Sequence, residues 1–120
     1  MLSTVILVIL ALAFALMGIG ALASPTVVTR QFGIPSLTPA GRSEVRAVYG
    51  GFGLAIAGLL IYAVINADLR EGISLTVAVA LLGMAAGRLV SAAIDRSMSK
   101  AAALYLVIEL VGGGLLLIAR

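Results

Sequence analysis

Glu109 and Arg88 are the residues best placed to do chemistry in this sequence, because each stands alone in a long apolar run. Glu109 interrupts Leu104-Tyr105-Leu106-Val107-Ile108-Glu109-Leu110-Val111, and Arg88 interrupts Met84-Ala85-Ala86-Gly87-Arg88-Leu89-Val90. In hydrocarbon such a side chain costs at least about 2.5–3.5 kcal/mol on insertion scales, so it is kept mainly when it is paired or functional. Other polar groups stand at helical spacing from these two. Ser91 and Asp95 follow Arg88, Tyr105 precedes Glu109 by one turn, and Arg46 with Tyr49 opens another apolar segment. A carboxylate among guanidinium and phenol groups can lock helices together, hold the polar head of an amphiphile, or carry a proton.

Other chemistries are excluded by composition. The chain has no cysteine and no histidine, which removes disulfides, thiol redox, zinc or haem ligation through these side chains, and every triad built on an imidazole base. Ser91 beside Arg88 or Asp95 lacks an adjacent base, and a helical serine at that spacing more often bonds its own backbone. The sequence therefore reads as a non-enzyme with no metal and no cofactor.

The elements that must carry these residues are membrane helices. Of the 120 residues, 62% are hydrophobic and 11% charged, against about 45–50% and about 25% in soluble domains. Four segments reach the roughly 20 apolar residues needed to cross the bilayer: Ser3 to Ala23, Ala47 to Ile65, Ile73 to Ile94 and Ala101 to Ile118. Ala21-Leu22-Ala23-Ser24 has the small-residue pattern of a signal-peptidase site. The stretch before it has no Lys or Arg and a longer apolar run than a signal peptide, so it is expected to stay as a span.

Ser24-Pro25 can start a short helix that Gly33 ends, with Val28 and Phe32 on one side, which suggests a helix lying along the membrane surface. Thr38-Pro39 then supplies a second start, outside the bilayer, for the second span. The connections expected at 66–72 and 95–100 are too short to hold a domain and force antiparallel neighbours. The expected fold is an all-α membrane protein, one domain over residues 1–120, forming an antiparallel bundle of four transmembrane helices with a short interfacial helix in the first connection.

At about 1.5 Å of rise per residue, Glu109 lies about 13 Å beyond Lys100 and Arg88 about 10 Å before Asp95, both measured from the same face. An ion pair between Arg88 and Glu109 follows. Arg46, Tyr49, Gly50 and Gly53 are expected to share a face of the second span that completes this shell, with Tyr105 near Glu109 and Asp95 holding the outer end. Ala47, Gly51 and Ala55, then Gly83, Gly87 and Ser91, then Gly112 to Gly114, mark faces for close packing, chiefly inside one protomer and otherwise at a homo-oligomer seam.

Arg30, Arg42, Arg96 and Lys100 flank one side, and Arg70, Arg120 and the amino terminus the other. The positive-inside rule then puts both chain ends outside. A net charge of +3 spread over four spans makes no nucleic-acid patch and suits anionic lipid headgroups. Seven Arg against one Lys, with abundant Ala, Gly and Leu, point to a bacterial inner membrane.

Glu44-Val45-Arg46-Ala47-Val48-Tyr49-Gly50-Gly51, Gly87-Arg88-Leu89-Val90-Ser91 with Asp95, and Glu109-Leu110 together resemble the domain-of-unknown-function family numbered 4345. The resemblance runs over nearly the whole chain and implies small bacterial four-helix membrane proteins, with Arg46, Arg88, Asp95 and Glu109 as the polar signature. It carries no activity. The family's third span usually finishes in Asp-Gly, whereas Asp95 is followed here by Arg96.

Two functions remain from the sequence. The first is a binding or accessory membrane protein in which Arg46, Tyr49, Arg88, Ser91, Asp95, Tyr105 and Glu109 surround a lipid-like or quinone-like ligand or dock a partner membrane protein. The second is a small oligomeric proton-coupled transporter using Glu109. The small multidrug resistance proteins share its size and helix number, but they carry their essential Glu in the first span and typically a nearby Trp. Here the first span has no charge and the chain no Trp.

Overall fold

After the first helix, every helix that starts from a break in the chain begins where a side chain accepts from one of the free amides of its first turn or a proline removes one of them. The computed structural model describes all residues, Met1–Arg120. Helix α1 spans Leu2–Ala23, α2 Pro25–Arg30 and α3 Pro39–Val45; a π-helical turn, Arg46–Gly51, joins α3 directly to α4, Phe52–Ile65. Helix α5 spans Ala67–Asp95 and α6 Lys100–Ala119. The hydroxyl of Thr38 accepts from the Gly41 amide at 3.0 Å, the Asn66 carbonyl oxygen from Leu69 at 3.2 Å, and the Ser99 hydroxyl from Ala102 at 3.1 Å.

Four helices are long and apolar enough to cross a membrane: α1, the continuous Pro39–Ile65, α5 and α6. There are no strands. Their outward faces stay apolar, with Ile9, Leu16, Val79 and Val107 all more than half exposed, as contact with lipid requires. The chain reads as a multi-pass membrane protein.

The connection expected at 66–72 shrinks to Asn66 alone. Its side chain caps α5 at once, and Arg70 reaches back to donate to the carbonyls of Ala63 at 3.0 Å and Val64 at 2.9 Å. The polar residues read as a loop are thus the first turn of α5 and the cap of α4. The second span is longer than its apolar part, as the Thr38-Pro39 start implied.

Helix α1 packs along α4 and α5 along α6; contacts of α1 with α6 and of α4 with α5 close the set. The hydrophobic core lies at one end. It is built from Ile6, Leu7, Leu10 and Ala11 of α1, Leu60 and Ala63 of α4, Val77, Ala78 and Leu81 of α5, and Leu116 and Ala119 of α6. Away from this core, residues of α1, α2, α5 and α6 line a cavity that also takes in Tyr49, Arg88, Tyr105 and Glu109.

The close helix approach falls beside the expected strip rather than on it. Ala47, Gly51 and Ala55 are exposed. Gly18, Gly50 and Gly53 make the α1–α4 crossing instead: a Cβ on Gly18 would lie 2.8 Å from the Gly50 carbonyl oxygen, and one on Gly53 3.3 Å from the Gly18 Cα. The π turn explains the shift, because its extra residue per turn rotates the rest of the helix about its axis; the Phe52 amide bonds back to the Ala47 carbonyl, five residues earlier. On α5, Gly83 and Gly87 face open space rather than a neighbouring helix of the same protomer, whereas Gly112 and Gly113 of α6 pack against Leu81 and Leu82.

Candidate functional site

Arg88 and Glu109 form the one ion pair of the chain, and it is bidentate. Arg88 Nε donates to one carboxylate oxygen of Glu109 at 2.8 Å and Nη2 to the other at 3.0 Å. The Glu109 side chain is 4% exposed and that of Arg88 22%. The planar fork-to-fork fit satisfies both carboxylate oxygens.

Two aromatic rings complete the surroundings of the guanidinium. Arg88 Cζ lies 5.7 Å from the centre of the Phe32 ring and 5.5 Å from that of Tyr105, and the two rings are 5.5 Å apart. All three separations fall in the range where a cation and aromatic faces attract one another. The Tyr105 hydroxyl donates to the Gln31 side-chain oxygen at 2.5 Å, tying α6 to the turn after α2.

That turn is shaped by its backbone. The Ile34 amide bonds the Thr29 carbonyl and the Gly33 amide bonds the Arg30 carbonyl, with Gly33 at φ +80°. This is the glycine-terminated helix end that reverses the chain. It turns Gln31 and Phe32 toward the bundle.

A cavity of about 420 Å³ opens beside the pair, a volume within the roughly 300–1,000 Å³ of small-molecule pockets. Leu10, Phe14 and Met17 of α1, Val28 of α2, Met84 of α5 and Ile108 of α6 supply its apolar walls, while Tyr49, Gln31, Tyr105, Arg88 and Glu109 supply its polar groups. A family model covers residues 2–120, and its description is Domain of unknown function (DUF4345).

The chain belongs to that family. No curated protein and no solved structure matches it. The DUF4345 resemblance seen in the sequence therefore holds over the full chain, and the polar residues that suggested it can be placed one by one.

The expected Arg88–Glu109 pair is present, and Tyr49 lines the same cavity. Tyr105 is there too, but its hydroxyl serves Gln31 rather than Glu109. Arg46 does not join the group. It is exposed, and its Nε donates to the Leu22 carbonyl at 3.1 Å, where a cation favourably caps the carbonyl end of α1. Ser91 and Asp95 are exposed, form no side-chain hydrogen bond and lie outside the cavity wall, so Asp95 does not hold the outer end. Asp95, seven residues on from Arg88, returns to nearly the same side of α5 but lies about 10 Å farther along it, out of reach of the same partner.

Sequence reasoning missed Gln31 and Phe32. The signal was present in the Gly33 stop: a helix ended by a left-handed glycine folds back, so the residues just before it approach the neighbouring helices. The Asp-Gly departure also has a structural counterpart. Arg96, where the resemblance implied a glycine, sits at φ 50°, ψ 40° after the last turn of α5, the left-handed region that glycine occupies most easily.

Proposed function

We propose that this protein is a lipid- or amphiphile-binding accessory protein of the bacterial inner membrane. The observation that carries the reading is a largely apolar cavity with one neutralised, hydrogen-bonding ion pair set in its wall. A pair needed only to fix helix register could be sealed by packing on every side. This one adjoins a space large enough for part of a hydrophobic molecule, with Tyr49 and Arg88 available to its head.

In this reading the four spans form an antiparallel bundle. Support comes from the core, which combines the early part of α1 and α5 with the late part of α4 and α6. Helix α2 lies at the interface and, with the turn after it, roofs the cavity through Val27, Val28, Gln31 and Phe32. Arg30, Arg42, Arg96 and Lys100 flank this end, which by the positive-inside rule is cytoplasmic, with both termini outside.

Native mass spectrometry in mild detergent tests the proposal. Wild type should carry a defined small molecule that Arg88→Ala and Glu109→Ala lose while remaining folded. Absence of any bound mass, with variants that only unfold, would mean that the pair is a structural lock.

A further inference from the structure

Arg88 and Glu109 are the only charged residues in the cavity wall, and they neutralise each other. The bidentate geometry occupies Arg88 Nε and Nη2 and both carboxylate oxygens. Hydrogen-bonding capacity remains at Arg88 Nη1 and at the Tyr49 hydroxyl, while the Tyr105 hydroxyl is committed to Gln31. A further cation that could balance an incoming anion is not present: Arg46 is turned to the Leu22 carbonyl and lies outside the wall.

We infer that the cavity selects an uncharged amphiphile, one whose head presents a carbonyl or ester oxygen, over an anionic amphiphile with the same apolar body. The inference rests on the binding reading above and specifies its ligand. An anionic head would have to leave water, approach the Glu109 carboxylate, and either share the guanidinium or break the bidentate pair. A neutral carbonyl needs one donated hydrogen bond, which Arg88 Nη1 or Tyr49 can provide without disturbing Glu109. The lining of Leu10, Phe14, Met17, Met84 and Ile108 takes the apolar body in either case, so charge at the head is what discriminates.

The test is competition between methyl palmitate and hexadecyl sulfate, which share a chain and differ in head charge, for the full chain in a non-ionic detergent, read by native mass spectrometry. Wild type should retain the ester over the sulfate by about tenfold or more. Glu109→Gln leaves the Arg88 charge unbalanced and should reverse the order. Gly20→Phe should lose both ligands, because Gly20 lines the cavity and a Cβ there meets nothing within 4 Å, so a bulky side chain can be added at the cavity wall without striking a neighbouring helix at its root.

Wild type that takes the sulfate at least as well as the ester overturns the inference and leaves the binding reading standing. A folded Glu109→Gln that keeps the ester preference overturns the charge argument. Wild type that binds neither ligand, or Gly20→Phe that binds both undiminished, overturns the binding reading and the inference together. The order of the two ligands on wild type decides even where Glu109→Gln does not fold.

Discussion

The guanidinium of Arg88 meets the carboxylate of Glu109 edge to edge, with contacts of 2.8 and 3.0 Å, and so joins α5 to α6 at a depth where neither charge would be stable alone. Removing either partner leaves the other uncompensated. Glu109→Ala and Arg88→Ala should each cost about 3 kcal/mol, the lower end for a broken buried pair because Arg88 keeps partial exposure. The double change Arg88→Met with Glu109→Leu should cost much less than the sum. Reversible unfolding in bicelles measures the three; equal and additive losses would show that the two side chains act independently.

The α1–α4 crossing predicts a sharp contrast between glycines. Gly18→Ala places a Cβ within 2.9 Å of backbone atoms of the π turn and α4 and should destabilise by about 1–3 kcal/mol, the usual range for overpacking. Gly83→Ala and Gly87→Ala meet open space and should be neutral or slightly stabilising in the monomer. Thermal melts of the three variants check this. A loss at Gly83 or Gly87 that depends on protein concentration would instead reveal a seam between copies.

Arg96→Gly should stabilise the protein by up to about 1 kcal/mol, since it relieves a left-handed backbone at φ 50° that a side chain disfavours. Arg96→Ala, which keeps the Cβ, should give no such gain. Side-by-side melts of the two separate backbone relief from loss of the charge.

These glycine and arginine positions also show what the sequence made legible. The four spans, the helix start at Ser24-Pro25 and the Arg88–Glu109 pair follow from run length, capping chemistry and helical rise, all of which are local quantities. The placement of Arg46 did not follow, because rotation about the axis of the second span changes at the π turn Arg46–Gly51; that of Ser91 and Asp95 did not follow because it depends on how far along α5 its neighbours extend. Gln31 and Phe32 were missed for a related reason: their contacts with Tyr105 and Arg88 are long-range consequences of the chain reversal at Gly33.

Tyr105→Phe removes the hydrogen bond to Gln31 but keeps the ring beside Arg88. It should leave global stability within about 1 kcal/mol while speeding amide exchange in residues 25–34, where α2 and its turn are held. Phe32→Ala should speed that exchange as well and additionally cost about 0.5–1 kcal/mol of cation–π attraction. Hydrogen exchange followed by mass spectrometry reads both; unchanged exchange in Tyr105→Phe would show that Gln31 does not fasten the roof of the cavity.

The central claim is that the space beside Arg88 and Glu109 takes up an amphiphile. The most direct measurement is photolabelling of the protein in membranes with a neutral, diazirine-bearing fatty ester, followed by peptide mapping. Label should concentrate on cavity-lining Phe14, Met17, Met84 and Ile108, and be lost from them in Gly20→Phe. Label spread evenly over outward-facing Ile9, Val79 and Val107, with none enriched in the cavity, would contradict it.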